Sequence, residues 1–512
     1  MLYPSIDKVK EIAASGDYRR VPVCLEMYSD RYTPVEVLRT LRKASCHCYL
    51  LESADQVEGW GRYSFLGFNP SMELNLTDGE LVIKRNIGEG SPCRRASDPP
   101  VSDSCGKEAV ETRHVDHPGE ALREIIAEFK SARVEGMPPF TGGLVGYFSY
   151  DYIKYSEPKL RLSDDEGRDF RDMDLMLFDE VVAFDNFRQK LYLVSGVKTD
   201  DIDSSYEKIE KNLRNLADLI KNGEKKEFPP LRLLSEITPK FSKEEYGAMV
   251  ERAKEYIREG DIFQVVLSNP MRAAAEGSLL DTYRVLRAGN PSPYMFYFSS
   301  DDIEIAGASP ETLVKMVDGK LSTFPLAGTR PRGKTKEEDD ALEEGLLKDE
   351  KELSEHNMLV DLGRNDIGKI SRIGTVKVEK YLEILRYSHV MHIGSTVTGQ
   401  IRGDKDAVDA VDAILPAGTL SGAPKFRACE IIQELEHSRR GLYGGAIGYL
   451  DFAGNLDTCI AIRLAYKKNG EICIRSGAGI VADSVPENEF VECVNKAGAT
   501  VQAVKKAEGG LE

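Results

Sequence analysis

Carboxylates carry the clearest chemical pattern in this chain. Glu489, Glu492 and Lys496 recur at i, i+3 and i+7, so they share one face of a helix near the C-terminus. Glu355, in KELSEHNMLVDLGRND (351–366), lies in a second helical stretch, off the stripe of Leu342, Leu346, Leu353 and Val360. Two carboxylates on separate helices, with positions left open for substrate oxygens, suit Mg²⁺. Glu355 reads equally well as a solvated surface acid. Ser484-Val485-Pro486-Glu487 matches a capping box, so Glu487 has a sufficient structural job at the start of the later helix. Glu311 follows Pro310 and, taken alone, reads as a helix-start acid. Gly477-Ala478-Gly479 follows a strand-like run, and backbone N–H groups free of side chains make an anion cradle.

Two nucleotide-binding patterns occur literally and fail in context. Gly328 to Thr335 satisfies GxxxxGK[ST], but KLSTFPLA before it is polar and carries Pro325, and the acidic KEEDDALEEGLLKDEKE after it would repel a triphosphate. A P-loop nucleotide enzyme is thus the alternative from a different class. Gly477 to Ala482 satisfies GxGxxG/A, but Pro486 breaks the chain before a helix can open inside the glycines, and 497–503 contains no acid. Cys46-His47-Cys48 is the one cysteine cluster, and no second cluster completes a zinc site.

Elements with the right periods surround these residues. TPVEVLRTLRKAS (33–45) is an amphipathic helix with the strand CYLLES (48–53) behind it. Residues 62–85 are strand segments broken at Asn69-Pro70 and Asp78-Gly79. A helix is expected over 119–133, a hairpin over 178–196, and helices over 204–223 and 243–261 that end at glycines. Residues 86–118, rich in Gly, Ser, Pro and charge, read as an exposed insertion, and the Pro-rich 224–242 as a boundary. Later runs such as FQVVLSNPM, YMFYFS, EIAGASP, KLSTFPLAG, YGGAIGYLD and EICIRSGAG are strand-like, with helices between and no strict βαβ alternation. A mixed, largely antiparallel α+β architecture follows.

The chain has 512 residues, a length that suggests roughly three domains. Its 68 Lys plus Arg stand against 85 Asp plus Glu, a net charge of −17. That balance argues against nucleic acid and anionic membrane as partners. An anionic small substrate stays open, because a site is local. The nine cysteines are odd in number and scattered, as in a reducing cytoplasm. No secretory signal and no run long enough to span a membrane is seen.

GDIFQVVLS, GASPE, PLAGTR, SEHNMLVDLGRND, HVMHIGSTVTG, PAGTLSGAPK, YGGAIGY, AIR, SGAGIVADSVPENEF and ECVNKA occur in this order between residues 260 and 497. Together they resemble the chorismate-utilising enzyme family. LLES (50–53), GRYSFLG (61–67) and NPSPYMF (290–296) resemble its anthranilate synthase component I branch. The resemblance implies two intertwined lobes with large, mostly antiparallel sheets and helices between and around them. It implies an N-terminal domain over 1–235, contributing to a regulatory site, and a chorismate-binding domain over 241–506.

The resemblance also assigns roles. Relatives that attack chorismate with water use a lysine base where this chain has Gln264, and 4-amino-4-deoxychorismate synthases often carry a nucleophilic lysine where it has Ala327. Ammonia is left as the nucleophile, with 4-amino-4-deoxychorismate synthase component I as the nearer alternative. Glu311 becomes the general acid, with a raised pKa. His392, a lone histidine of the usually structural kind, becomes the proton-transfer group of a later elimination. Gln264 and Thr419 count with the catalytic set. Gly328, Thr329, Tyr443, Arg463, Gly477, Ala478, Gly479 and Lys496 would hold chorismate, and Glu355 and Glu492 would hold Mg²⁺. Ser53, Pro293, Tyr294 and Met295 would bind L-tryptophan as a feedback inhibitor, although NPSPYMF also reads as a turn packed on a core strand. No cysteine sits in a glutaminase-type elbow, so glutamine would be used only with a separate amidotransferase subunit, component II.

Overall fold

The computed structural model describes residues 2–53, 61–85, 109–162, 166–386 and 390–511. Trp60 and residues 86–108, most of the expected insertion, lie outside the described residues. Residues 109–114 are not part of a loose insertion: they form the strand Ala109–His114, paired antiparallel with Glu80–Arg85.

Two large antiparallel sheets build the molecule, one of 13 strands and one of 12 among the described residues. Each takes strands from both halves of the chain. In the first, Cys48–Glu52 from the N-terminal half pairs with Tyr294–Ser299. In the second, Gly143–Phe148 pairs with Ala446–Asp451. The inner faces form large apolar clusters, one of them aromatic-rich around Tyr49, Phe140, Tyr147, Phe178 and Phe296. Neighbouring strands in the middle of the second sheet are covered on both faces, so Gly143–Phe148 and Met173–Phe178 are buried at every position.

Local signals explain the elements around the later site. Helix Lys243–Glu259 begins with a complete Ser242–Glu245 capping box and stops at Gly260, whose φ of 85° is left-handed. Helix Glu350–Gly368 begins at Asp349, whose carboxylate accepts from the N–H groups of Lys351 and Glu352. Helix Pro486–Ala507 starts differently from the expected box. Its first turn places Val485 at the cap, and the Ser484 hydroxyl instead accepts from the N–H of Val481. The expected helix over 119–133 is shorter, Pro118–Glu128. KLSTFPLAG is split at Phe324-Pro325 into the strands Lys320–Thr323 and Leu326–Pro331. The Pro-rich 224–242 runs mostly extended, adding two short strands to the edge of Gln264–Glu276. No helix among the described residues is long and apolar enough to cross a membrane.

Both nucleotide patterns dissolve in the fold. The Gly333 N–H donates to Asp339 and the Lys334 N–H to Glu338, so the donors a phosphate would need already face carboxylates. Gly477 and Gly479 lie inside the strand Glu471–Ile480, not at a helix start. The seven described cysteines are free thiols. Cys46 and His47 gain a neighbour the sequence did not indicate, Asp301, and the three could share one ion; His47 and Lys84 already pair with that carboxylate.

Candidate active site

A cavity of about 540 Å³ opens between the first sheet and helices Glu350–Gly368 and Pro486–Ala507. The strand Glu471–Ile480 pairs on one side with Gln264–Glu276 along its length, but on the other only as far as Ile474. Past Ile474 that edge pairs with no strand among the described residues, and Gly477 and Gly479 line the cavity. A side chain at Gly477 would come within 2.5 Å of the Leu267 carbonyl and 3.0 Å of the Tyr443 hydroxyl. One at Gly479 would strike the Gln264 amide at 2.6 Å. Close approach therefore requires glycine at Gly477, where the neighbour is backbone, whereas at Gly479 the neighbour is the movable end of a side chain. Ala478 alternates to the other face and buries its methyl beside Val265 and Leu267, so only its backbone is available.

Glu311 begins no helix. It sits in the connection between strands Ile303–Ser309 and Thr312–Val317, where its carbonyl accepts from Ile460 N–H. The Thr419 hydroxyl, on the short turn Gly418–Leu420, donates to its carboxylate at 3.0 Å. Desolvation dominates over this bond and over the nearby Lys496, and pushes the Glu311 pKa up to about 7. The apolar surroundings thus keep a carboxylic acid protonated near neutrality.

His392 stands across the cavity on the strand Val390–Gln400. Its Nδ1 lies 3.0 Å from the Gly328 carbonyl and 3.1 Å from the Thr329 hydroxyl. A carbonyl only accepts, so Nδ1 carries the proton and Nε2 of the neutral ring keeps its lone pair. Burial, reinforced by Arg463, holds the imidazole pKa below its usual value and favours that neutral form. Gly328 has a left-handed φ of 66° and marks a bulge that turns its carbonyl to the histidine.

Arg463 is also left-handed, with φ 53°, a conformation that costs a non-glycine residue energy. It donates to the carbonyl of Lys496, and burial lowers its pKa. Its guanidinium lines the cavity with the Tyr443 ring and the glycine edge. A planar carboxylate suits that fork.

Glu355 from one helix and Glu489 and Glu492 from the other line the same cavity. Burial first, and then Glu352 and Glu492, raise the Glu355 pKa. Glu489 is raised by burial and by Glu492. Lys496 pairs with Glu492 at 2.6 Å. Glu492 thus raises the pKa of both other carboxylates beside one ammonium, although the oxygens of the three do not come together at ligand-sharing distance among the described residues. Glu489 was not among the expected ligands, although its i, i+3 relation to Glu492 is visible in the sequence.

Ser53, Pro293, Tyr294 and Met295 line a second cavity, of about 490 Å³. Its walls include Phe65, Pro139, Met316 and Tyr449, apolar and wide enough for a bicyclic ring. The Tyr294 hydroxyl donates to Asp457 at 2.8 Å and lies 3.0 Å from the hydroxyl of Thr312, the residue after Glu311.

The family model described as chorismate binding enzyme matches residues 46–502. Anthranilate synthase component 1 of Acetivibrio thermocellus is 43% identical over 523 residues, covering 99% of each chain. That of Pseudomonas aeruginosa is 43% identical over 515 residues, covering 98% of each. The crystal structure of anthranilate synthase component I from Streptococcus pneumoniae TIGR4 superposes with a TM-score of 0.72 at 36% identity, covering 87% of this chain and 93% of that one. The order of motifs, the two interleaved sheets and these full-length likenesses agree, and the chain belongs to the chorismate binding enzyme family, in its anthranilate synthase component 1 branch.

Proposed function

We propose that the chain is the large subunit of an anthranilate synthase, a lyase of tryptophan biosynthesis in the cytoplasm that makes anthranilate and pyruvate from chorismate and ammonia. The observation that carries the reading is Glu311, a partly buried carboxyl with its pKa pushed up to about 7, which shares one cavity with neutral His392 and with the cations Arg463 and Lys496.

Chorismate is a dianion with a poor leaving group at C4. Arg463, Tyr443 and the Gly477–Gly479 edge hold the enolpyruvyl carboxylate, with Lys496 as a further cation. The ring carboxylate turns toward Gly328, Thr329 and the acidic residues Glu355 and Glu492, which would hold Mg²⁺. That ion, when bound, supplies positive charge opposite the ring carboxylate. Gln264 lies against Gly479 and accepts a hydrogen bond from ammonia, but it is no base for water. As the C2–N bond forms, the C1=C2 and C5=C6 double bonds shift to C1=C6 and C4=C5 and expel the C4 oxygen; Glu311 gives it the proton that lets it leave as water, and the surplus proton on the new ammonium nitrogen passes to solvent. The Thr419 hydroxyl steadies the carboxylate left behind. In the second step His392 Nε2 takes the C2 proton, the bond to the enolpyruvyl oxygen breaks, and the ring aromatises as pyruvate leaves. Ammonia comes from solution or from a glutamine amidotransferase partner, component II. The second cavity takes L-tryptophan, with Ser53 meeting its amino-acid group.

Incubating the purified chain with chorismate, ammonium and Mg²⁺ tests this. The expected result is a fluorescent aminobenzoate with one pyruvate per turnover and no need of an added lyase. Isochorismate, or 4-amino-4-deoxychorismate without pyruvate, would overturn it.

A further inference from the structure

Beside the cavity, with Arg475 reaching its wall, lies a charge cluster to which the proposed reaction gives no role. Glu436 and Arg440 have fully buried side chains, and Arg475 is nearly as buried. Glu436 accepts from Arg440 Nη2 at 2.6 Å, from Arg475 Nη2 at 2.7 Å, and from the backbone N–H and hydroxyl of Ser268 at 2.7 and 2.9 Å. A lone buried carboxylate would be prohibitive, and this one is fully satisfied. Arg440 has donors to spare. Nη1 reaches the Leu420 carbonyl at 2.6 Å, and Nη2 also reaches the Val266 carbonyl at 2.6 Å.

Those two carbonyls are the informative contacts. Leu420 follows Thr419, whose hydroxyl holds Glu311. Val266 is two residues from Gln264 on the same strand. The guanidinium also lies over the Tyr150 ring, 4.6 Å from its centroid, so it cannot swing freely. Arg440 therefore ties the turn that carries Thr419 to the strand that carries Gln264, without touching the cavity. A fork of five fixed donors can do this, whereas an ammonium on a flexible stem cannot reach both carbonyls and the carboxylate together.

We infer that Arg440, locked by Glu436, is a positioning residue for the general acid: through the Leu420 carbonyl it holds the Thr419 hydroxyl on Glu311. This rests on the reading of Glu311 as the acid. Loss of the Thr419 bond removes a donor that favours the ionised carboxylate, so the Glu311 pKa should rise and the alkaline fall of kcat should move to higher pH. The charged group acting on Glu311 is Lys496, on helix Pro486–Ala507; His392, Lys351, Glu355, Glu489, Glu492, Arg463 and Arg475 line the same cavity and keep their identity in these variants.

The test is a double-mutant cycle on kcat against pH with Thr419→Val and Arg440→Lys. Each single variant should lower kcat at neutral pH about tenfold, shift the alkaline limb in the same direction and leave KM for chorismate within about threefold. Combined, the second change should cost less than about twofold more, the sign of one shared route. Independent, multiplying losses, or an unmoved limb in Arg440→Lys, would overturn the inference. An unmoved limb in Thr419→Val would overturn the reading of Glu311 itself. Should Arg440→Lys not fold, Ser268→Ala, which removes one hydroxyl from Glu436, goes through the same cycle. Its smaller loss should vanish in the Thr419→Val background, and persistence there would count against the inference.

Discussion

A carboxyl that must give up a proton is useful only while it holds one. With its pKa pushed to about 7 by burial, Glu311 is protonated below that pH, so kcat should fall as pH rises through neutrality. A pH–rate profile at saturating chorismate checks this, and a profile rising through that range would contradict it. Glu311→Gln keeps the shape and loses the proton, and kcat should drop on the order of 100-fold or more while chorismate still binds. His392→Met removes the Nε2 base but leaves the first step, so the amino intermediate should accumulate and be seen by chromatography. At this scale much was legible. Glu311, Glu355, Arg463 and His392 are found through motif order. The raised pKa of Glu311 was expected only as a demand of the role the resemblance gives it, its cause being burial, and the histidine tautomer was not expected, because it depends on a Gly328 carbonyl brought over by strand pairing.

Two elements connect the cavities. Tyr294 opens the strand Tyr294–Ser299, which pairs with Ile303–Ser309, and its hydroxyl touches Thr312 beside Glu311. A ligand wedged between Ser53 and Tyr294 would act on the strands that hold the acid. Ser53→Phe should fill that cavity and abolish inhibition by tryptophan while ammonium-dependent turnover stays within about twofold, as surface-lining changes distant from the chemistry usually do. Dose–response curves decide this, and unchanged inhibition would place the regulatory site elsewhere. Gly477→Ala probes the glycine edge. Its methyl has no room against the Leu267 carbonyl, so KM for chorismate should rise severalfold or more. Helix Lys243–Glu259 was legible to within two residues because its Ser242 box and Gly260 stop are local. The start of Pro486–Ala507 slipped by one residue because the Ser484 hydroxyl accepts from the N–H of Val481 instead of capping the helix.

The whole molecule shows why length misled. Roughly three domains were expected from residue count, yet both sheets draw strands from both halves, through pairings such as Leu50 with Tyr297. Pairing across so long a separation leaves no local trace, which is why only the family resemblance indicated intertwined lobes. The net charge of −17 is a property of the whole chain, whereas the proposed substrate meets Arg463 and Lys496 locally. The central claim is that this one cavity joins ammonia to chorismate. Turnover of chorismate with ¹⁵N-ammonium, read by mass spectrometry of the product, tests it most directly. The account predicts anthranilate carrying one ¹⁵N in the intact chain and almost none in Glu311→Gln. A nitrogen-free hydroxylated product, or full labelling at the unchanged rate in Glu311→Gln, would contradict it.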